Sequence, residues 1–214
     1  MSLNKRNGRR ELRERRFNRR QPDLGYYIVV TDTAGTERVY FNGLRDSIEE
    51  KYKDRLIIKV KETNNRNMID DALELASKHP QYAEPWIVFD KDKNKNFDKI
   101  IECAKDAGIN VAWSNPCIEI WFHAYFGSMP NCSDSVNCVH NFKKEYFKNV
   151  GHEYNKADKD LYQKLFQNGD EDGAIKNAKN RMDANISNGN KTPSDMVACT
   201  NLHSLVDKIR KKIK

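Results

Sequence analysis

Along this chain, short dense apolar runs alternate with stretches in which apolar residues recur at helical spacing. Tyr26-Tyr27-Ile28-Val29-Val30 is aromatic and β-branched, the composition of a strand buried on both faces. Thr36 stands where an N-cap would precede a helix reaching to about Tyr52. Leu56 to Val60 predicts a second strand. After the polar stretch Glu62 to Asn67, residues Met68, Ile69, Ala72, Leu73 and Ala76 share one face of a helix. Pro85 leads into Trp86-Ile87-Val88-Phe89, a third strand. Phe97, Ile100, Ile101 and Ala104 mark a helix that Gly108 ends, and Ile109 to Trp113 is a fourth strand. Pro116 suits the first turn of the next helix, in which Ile118, Trp121, Phe122, Tyr125 and Phe126 keep helical spacing; Trp121 and Phe122 read as core.

Repeated strand–helix units predict an α/β fold, a three-layer Rossmann-like parallel sheet with helices on both faces. In that architecture ligands gather at the C-terminal ends of the strands, near a switch in strand order. Beyond residue 127 the pattern changes. Gly127 to Asn137 reads as a loop, and the remainder as helices. The last has Thr192 as cap, Pro193 in its first turn, Asp195 near its dipole, and a stripe of Met196, Leu202, Leu205, Val206, Ile209 and Ile213. The organisation that follows is a basic arm over 1–20, an α/β domain over 21–127 and a helical extension over 128–214.

Charge changes the picture at the N-terminus. The net charge is +7, and residues 1–20 hold nine basic residues against two acids, so the arm carries the whole excess. Arg9, Arg10, Arg13, Arg16, Arg19 and Arg20 are candidate phosphate contacts through counterion release; a solvated tail is the plainer reading. No apolar run nears the ~20 residues of a membrane helix, and no apolar stretch follows the basic start as it does in a secretory signal. The expected setting is cytoplasmic, with no membrane partner. The five cysteines are odd in number and read as free thiols; Cys132, Cys138 and His140 form a C-x5-C-x-H run that is wider than usual zinc spacing. No phosphate-binding G-x-x-x-x-G-K-[ST], dinucleotide G-x-G-x-x-G or nucleophile-elbow motif occurs, which argues against a nucleotide-driven motor, a dinucleotide oxidoreductase and an α/β hydrolase.

The informative acids follow apolar strands. Asp32 ends the first, Glu37 comes five residues later, and Asp90 and Asp92 follow the third as D-x-D. Residues two apart in an extended segment point the same way, so Asp90 and Asp92 form a half-site for a hard cation such as Mg²⁺ or Mn²⁺. With the first and third strands adjacent, as in the order 2-1-3-4, Asp32 faces Asp90 across the switch point. Acids after strands also serve as helix caps and turns. Asp90 to Asp98 alternates like a calcium loop, but Lys95 and Ile101 occupy the positions that need Gly and Glu. Glu119 lies one turn before His123, placed for either a site role or a surface pair. Ser114 and Asn115 read as helix caps, with phosphate contact as the sharper alternative.

The basic arm, Ile28-Val29-Val30-Thr31-Asp32 with Thr36-Glu37 and Tyr40-Phe41, Val88-Phe89-Asp90-Lys91-Asp92, and Ser114-Asn115-Pro116-Cys117-Ile118-Glu119-Ile120-Trp121 together resemble the RloB family. Thr192-Pro193-Ser194 with its following helix is similar to that family's C-terminal end, and the resemblance spans nearly the whole chain. Proteins of this family are linked to restriction loci and abortive phage infection. The resemblance implies a Toprim-like domain, the fold of topoisomerase, primase and related nuclease centres. On that likeness Asp32 is the first acid of the site, Asp90 and Asp92 are its D-x-D pair, Glu37 is a second acid, and Mg²⁺ or Mn²⁺ is the cofactor. Here Asp32-Thr33 stands where the family usually has Glu-Gly, a shorter carboxylate and a less permissive backbone.

Two functions of different class follow. One is a metal-dependent phosphodiesterase cutting DNA or RNA in anti-phage defence. Asp32, Asp90 and Asp92 would be ligands, Glu37 or Glu119 would complete the shell or take a proton, and the arm would hold the backbone. The other is a non-catalytic module of a defence system that binds nucleic acid or a partner protein.

Overall fold

The structure is a computed structural model that describes residues 23–32, 35–63, 67–78, 83–92 and 94–214. The basic arm over 1–20 lies outside the described residues.

In chain order the elements are β1 (Gly25–Asp32), α1 (Thr36–Asp46), α2 (Glu50–Lys53), β2 (Leu56–Thr63), α3 (Met68–Ser77), β3 (Ala83–Asp90), α4 (Phe97–Asp106), β4 (Asn110–Asn115), α5 (Glu119–Tyr125), α6 (Ser135–Val150), α7 (Leu161–Asn168), α8 (Glu171–Ser187), β5 (Cys199–Thr200) and α9 (Leu202–Arg210). The sheet runs β2-β1-β3-β4-β5. Its first four strands are parallel and β5 is antiparallel to β4. The expected 2-1-3-4 order is therefore present, extended by a two-residue edge strand that the sequence pattern does not announce.

Alternation along the strands explains the layers. Tyr27 and Val29 face a core shared with Tyr40, Phe41 and Leu44 of α1, while Tyr26, Ile28 and Val30 face a second core with Met68, Ala72 and Leu75 of α3 and Phe97, Ile101 and Ala104 of α4. Both faces of β1 are thus covered, as its continuous apolar run predicts. The helices after residue 127 join the first of these cores. Phe142, Leu161, Leu165, Ala174, Leu205 and Ile209 pack in the same cluster as Tyr27 and Val88.

Several local expectations change. Gly35, not Thr36, is the N-cap of α1, without a side-chain cap, and Thr36 is buried as the first helical residue. The helix expected to reach Tyr52 ends at Asp46, where Ser47 donates through Oγ to the Leu44 carbonyl at 2.7 Å and the short α2 follows. In α3 the buried stripe is Met68-Ala72-Leu75, and Leu73 is 41% exposed. Ser114 and Asn115 are the last residues of β4, paired with β5, rather than helix caps. Thr192 and Pro193 do not begin the last helix. They form a turn in which Thr192 Oγ1 donates to Asp195 Oδ2 at 2.8 Å, and the chain then passes through β5 before α9 starts at Leu202. Met196 accordingly packs in the opposite core from the α9 stripe. Among the described residues no helix is long and apolar enough to cross a membrane.

Candidate functional site

Because the chain leaves β1 toward β2 but leaves β3 toward β4, a crevice opens between the C-terminal ends of β1 and β3. Asp32 is the last residue of β1 and Asp90 the last of β3, and Glu37 lies in the first turn of α1. These three, with Asp92, line one cleft of about 550 Å³. Lys91, Lys95, Lys156, Asn94, Cys117 and Ser135 complete its walls. Four acids and three lysines at a switch point form a polar site of mixed charge.

Asp90 is held in place by the backbone, its Oδ2 accepting from the Ile118 N–H at 2.9 Å. Burial, and then the negative charges of Glu37 and Glu119, raise its carboxyl well above the usual carboxylate range; the Ile118 N–H opposes them. Burial raises Glu37 as well, helped by the charges of Glu119 and Asp32 and opposed by its own backbone N–H and by Asp90. Glu37 and Asp90 line the same cleft, and each bears on the other's ionisation. A neighbouring carboxylate disfavours ionisation, so Asp90 is raised beyond what burial alone would do.

Asp92 departs from the expected half-site. The extended conformation ends at Asp90, and Asp92 sits in a turn at a φ of +32°, a left-handed value that non-glycine residues seldom adopt. Its N–H donates to the Pro116 carbonyl at 2.9 Å, and its Oδ1 accepts from the Ser135 hydroxyl at the start of α6. The two-residue alternation therefore does not aim Asp92 alongside Asp90, although both line the cleft.

Glu119 does not pair with His123. It is fully buried in α5, where Oε1 accepts from the Tyr154 hydroxyl at 3.0 Å and meets Lys156 Nζ at 2.9 Å. Its Oε2 is buried with no hydrogen-bond partner. It lies close enough to Asp90 and Glu37 for its charge to raise both. His123 packs edge-on against Phe142 at 5.3 Å, and burial lowers its pKa and keeps the ring neutral.

Lys156, Tyr154 and Ser135 escape sequence reasoning, because only the packing of the helical half brings them to the strand ends. Burial works against the Lys156 ammonium, but Glu119 outweighs it and holds the lysine above its ordinary value. The Thr192-Pro193-Ser194 turn belongs to the same neighbourhood. Lys91 Nζ donates to the Ser194 carbonyl at 2.8 Å, Asn115 donates to the Pro193 and Ser194 carbonyls at 3.1 and 3.2 Å, and Asp98 Oδ1 accepts from the Ser194 N–H at 3.0 Å. The turn is a strap across the ends of β3 and β4. Cys117 lines the cleft as a protonated thiol, raised first by contact with the Cys138 thiol and then by burial. Cys138 points into the core while His140, two residues on, is exposed, as opposite sides of a helix require.

Hard carboxylate oxygens suit Mg²⁺ or Mn²⁺. Among the described residues, however, no three His, Cys, Asp or Glu side chains converge as an ion would need. Glu119 Oε2 is a buried acceptor without a donor. A buried acceptor left without a donor costs about 1–3 kcal/mol.

The chain matches a family model described as RloB-like protein over residues 26–209. No curated protein and no solved structure matches it.

Proposed function

We propose, from the premise that the chain belongs to the RloB-like family, that it is a metal-dependent nucleic-acid phosphodiesterase of Toprim type that acts in anti-phage defence. The observation that carries this reading is the placement of Asp32, Glu37, Asp90 and Asp92 with three lysines in one cleft at the switch point. Asp32, Asp90 and Asp92 are the residues that would hold Mg²⁺ or Mn²⁺. When bound, such an ion polarises a phosphate and makes the attacking water more acidic. Glu37, whose carboxyl burial raises above its ordinary value, is suited to accept a proton from that water. Lys156, held over Glu119 at the cleft wall, and Lys95 offer positive charge to the phosphate oxygens. Lys91 acts indirectly, by fastening the Ser194 strap.

The reading is tested by incubating the full chain with DNA and RNA, single- and double-stranded, in Mn²⁺ and in a chelator. Cleavage of one of these that the chelator stops is the expected result; intact substrate throughout overturns it. The arm has its own test. Deleting residues 1–20 should weaken binding at least roughly 10-fold at low salt. It should also flatten the dependence of log K on log salt by about 0.9 for each duplex phosphate that the arm had neutralised. An unchanged slope removes the arm from the interface.

One observation favours a second reading, a non-catalytic module that binds nucleic acid or a defence-system partner protein. The Asp92 carboxylate is engaged by Ser135 rather than turned beside Asp90.

A further inference from the structure

Helix α6 starts at the cleft, where Ser135 holds Asp92, and runs away from it with an unusual outer face. Phe147 on that face is 58% exposed. Lys143 and Lys144 lie beside it, exposed and with no acidic partner among the described ion pairs. These residues, with His140, Glu153 and Tyr154, line a groove of about 400 Å³. One short segment reaches both the groove and the cleft. Tyr154 lines the groove and donates to Glu119, and Lys156, two residues on, pairs with the same carboxylate oxygen and lines the cleft. The segment from Glu153 to Lys156 thus contributes Glu153 and Tyr154 to the groove and Lys156 to the cleft.

A lone exposed aromatic ring flanked by unpaired lysines has a specific chemical use. A base stacks on the ring, and the phosphates on either side meet the ammonium groups. Phenylalanine brings no hydrogen-bonding group, so such a site accepts any base. Stacking on the ring needs a base face free of its neighbours, which a single strand offers and the stacked interior of a duplex does not. We propose that the α6 groove binds an unpaired nucleotide of a single-stranded nucleic acid whose strand runs on into the cleft. The inference rests on the phosphodiesterase reading for what the cleft does, but its own content is the position of the strand and its single-stranded character.

Fluorescence anisotropy with labelled oligo-dT and oligo-U of ~12 nucleotides, comparable to single-strand site sizes, tests it. The full chain is titrated in a chelator, so that no cleavage intervenes, and at about 150 mM salt to limit the arm's contribution. Phe147→Ala is expected to weaken single-strand binding about 5- to 100-fold, the loss of one base–aromatic stack. A duplex of the same sequence should lose less than the single strand. Lys143→Glu with Lys144→Glu should lower both the affinity and the salt slope, by about 0.7 for each single-strand phosphate the lysines had neutralised. Phe147 and both lysines are exposed, so these variants keep the core intact. Wild-type affinity in both variants, an equal loss for duplex, or no oligonucleotide binding by the wild type overturns the groove. In the last case a protein partner for α6 takes its place. The wild type's Mn²⁺-dependent cleavage of a small phosphodiester such as bis(p-nitrophenyl) phosphate reports on the cleft alone, so failure there and failure in the groove are told apart.

Discussion

Asp90→Asn is expected to reduce Mn²⁺-dependent cleavage by at least about 10³-fold while nucleic-acid binding persists, the scale on which removal of an essential charged group acts. The substitution is chosen for what it keeps. Asp90 Oδ2 accepts from the Ile118 N–H at 2.9 Å, and an asparagine oxygen can accept the same bond, so the link between β3 and α5 survives. What disappears is the charge that would hold the cation. A stability control accompanies the assay, and its sign follows from the electrostatics. Asp90 is a carboxyl raised well above its unfolded value by burial and by Glu37 and Glu119. Folding therefore favours its protonated form. Its contribution is full below the unfolded pKa and is lost as pH rises through the folded one. In a chelator, Asp90→Asn should then unfold at the same temperature as the wild type or higher at pH 8, with the difference shrinking toward pH 4. Loss of cleavage with retained or raised thermal stability identifies a functional defect. Cleavage that survives in the variant removes Asp90 from the reaction.

Arg210→Ala is expected to destabilise the chain by about 3–5 kcal/mol, the usual consequence of leaving a buried charge without its partner. Arg210 Nε meets Glu171 Oε2 at 2.6 Å, and both side chains are largely buried, at 11% and 7% exposure. Glu171 Oε1 also accepts from the Tyr125 and Tyr162 hydroxyls, each at 2.9 Å, and the Tyr125 hydroxyl meets that of Tyr40 at 2.8 Å. The guanidinium lies 5.6 Å from the Tyr162 ring centroid and 5.3 Å from that of Phe166. This network ties α9 to α8, α7, α5 and α1, so the loss should be felt by the whole molecule as one transition. For a chain of this size the midpoint of thermal unfolding should fall on the order of 10 °C. Glu171→Leu combined with Arg210→Met should recover much of the loss, because no charge is then stranded. A midpoint unchanged in Arg210→Ala, or two separate transitions, contradicts the view that the helical half is part of one cooperative unit with the sheet.

The parts of the fold that the sequence discloses are those fixed by local pattern. Four apolar runs become four parallel strands, and the helices between them keep their places. Trp121 and Phe122 are fully buried, as their spacing predicts. What escapes is decided by distant contacts. The edge strand Cys199–Thr200 has only two residues and no periodicity to betray it. Thr192, Pro193 and Asp195 carry the chemistry of a helix start, and the structure uses that chemistry in a turn instead. Thr192 still donates to Asp195, but the Ser194 carbonyl is taken by Lys91 and Asn115. The candidate site divides in the same way. Asp32, Glu37 and Asp90 stand at positions that strand ends and a helix start determine, and they can be read from the chain. The orientation of Asp92 depends on a positive φ and on Ser135, while Lys156 and Tyr154 reach the site from a segment whose own sequence carries no signal of it.

Calorimetric titration of Mn²⁺ into the wild-type chain and into Asp90→Asn, at pH 6.5 and in two buffers of different ionisation enthalpy, bears most directly on the claim that the strand-end acids form a metal site. The Asp90 carboxyl, raised by burial and by Glu37 and Glu119, must be ionised before it can face a cation. The expected result is saturable binding by the wild type with release of up to about one proton, tighter at higher pH, and loss of that binding in Asp90→Asn. Binding that is the same in both proteins, or no binding by the wild type, contradicts it.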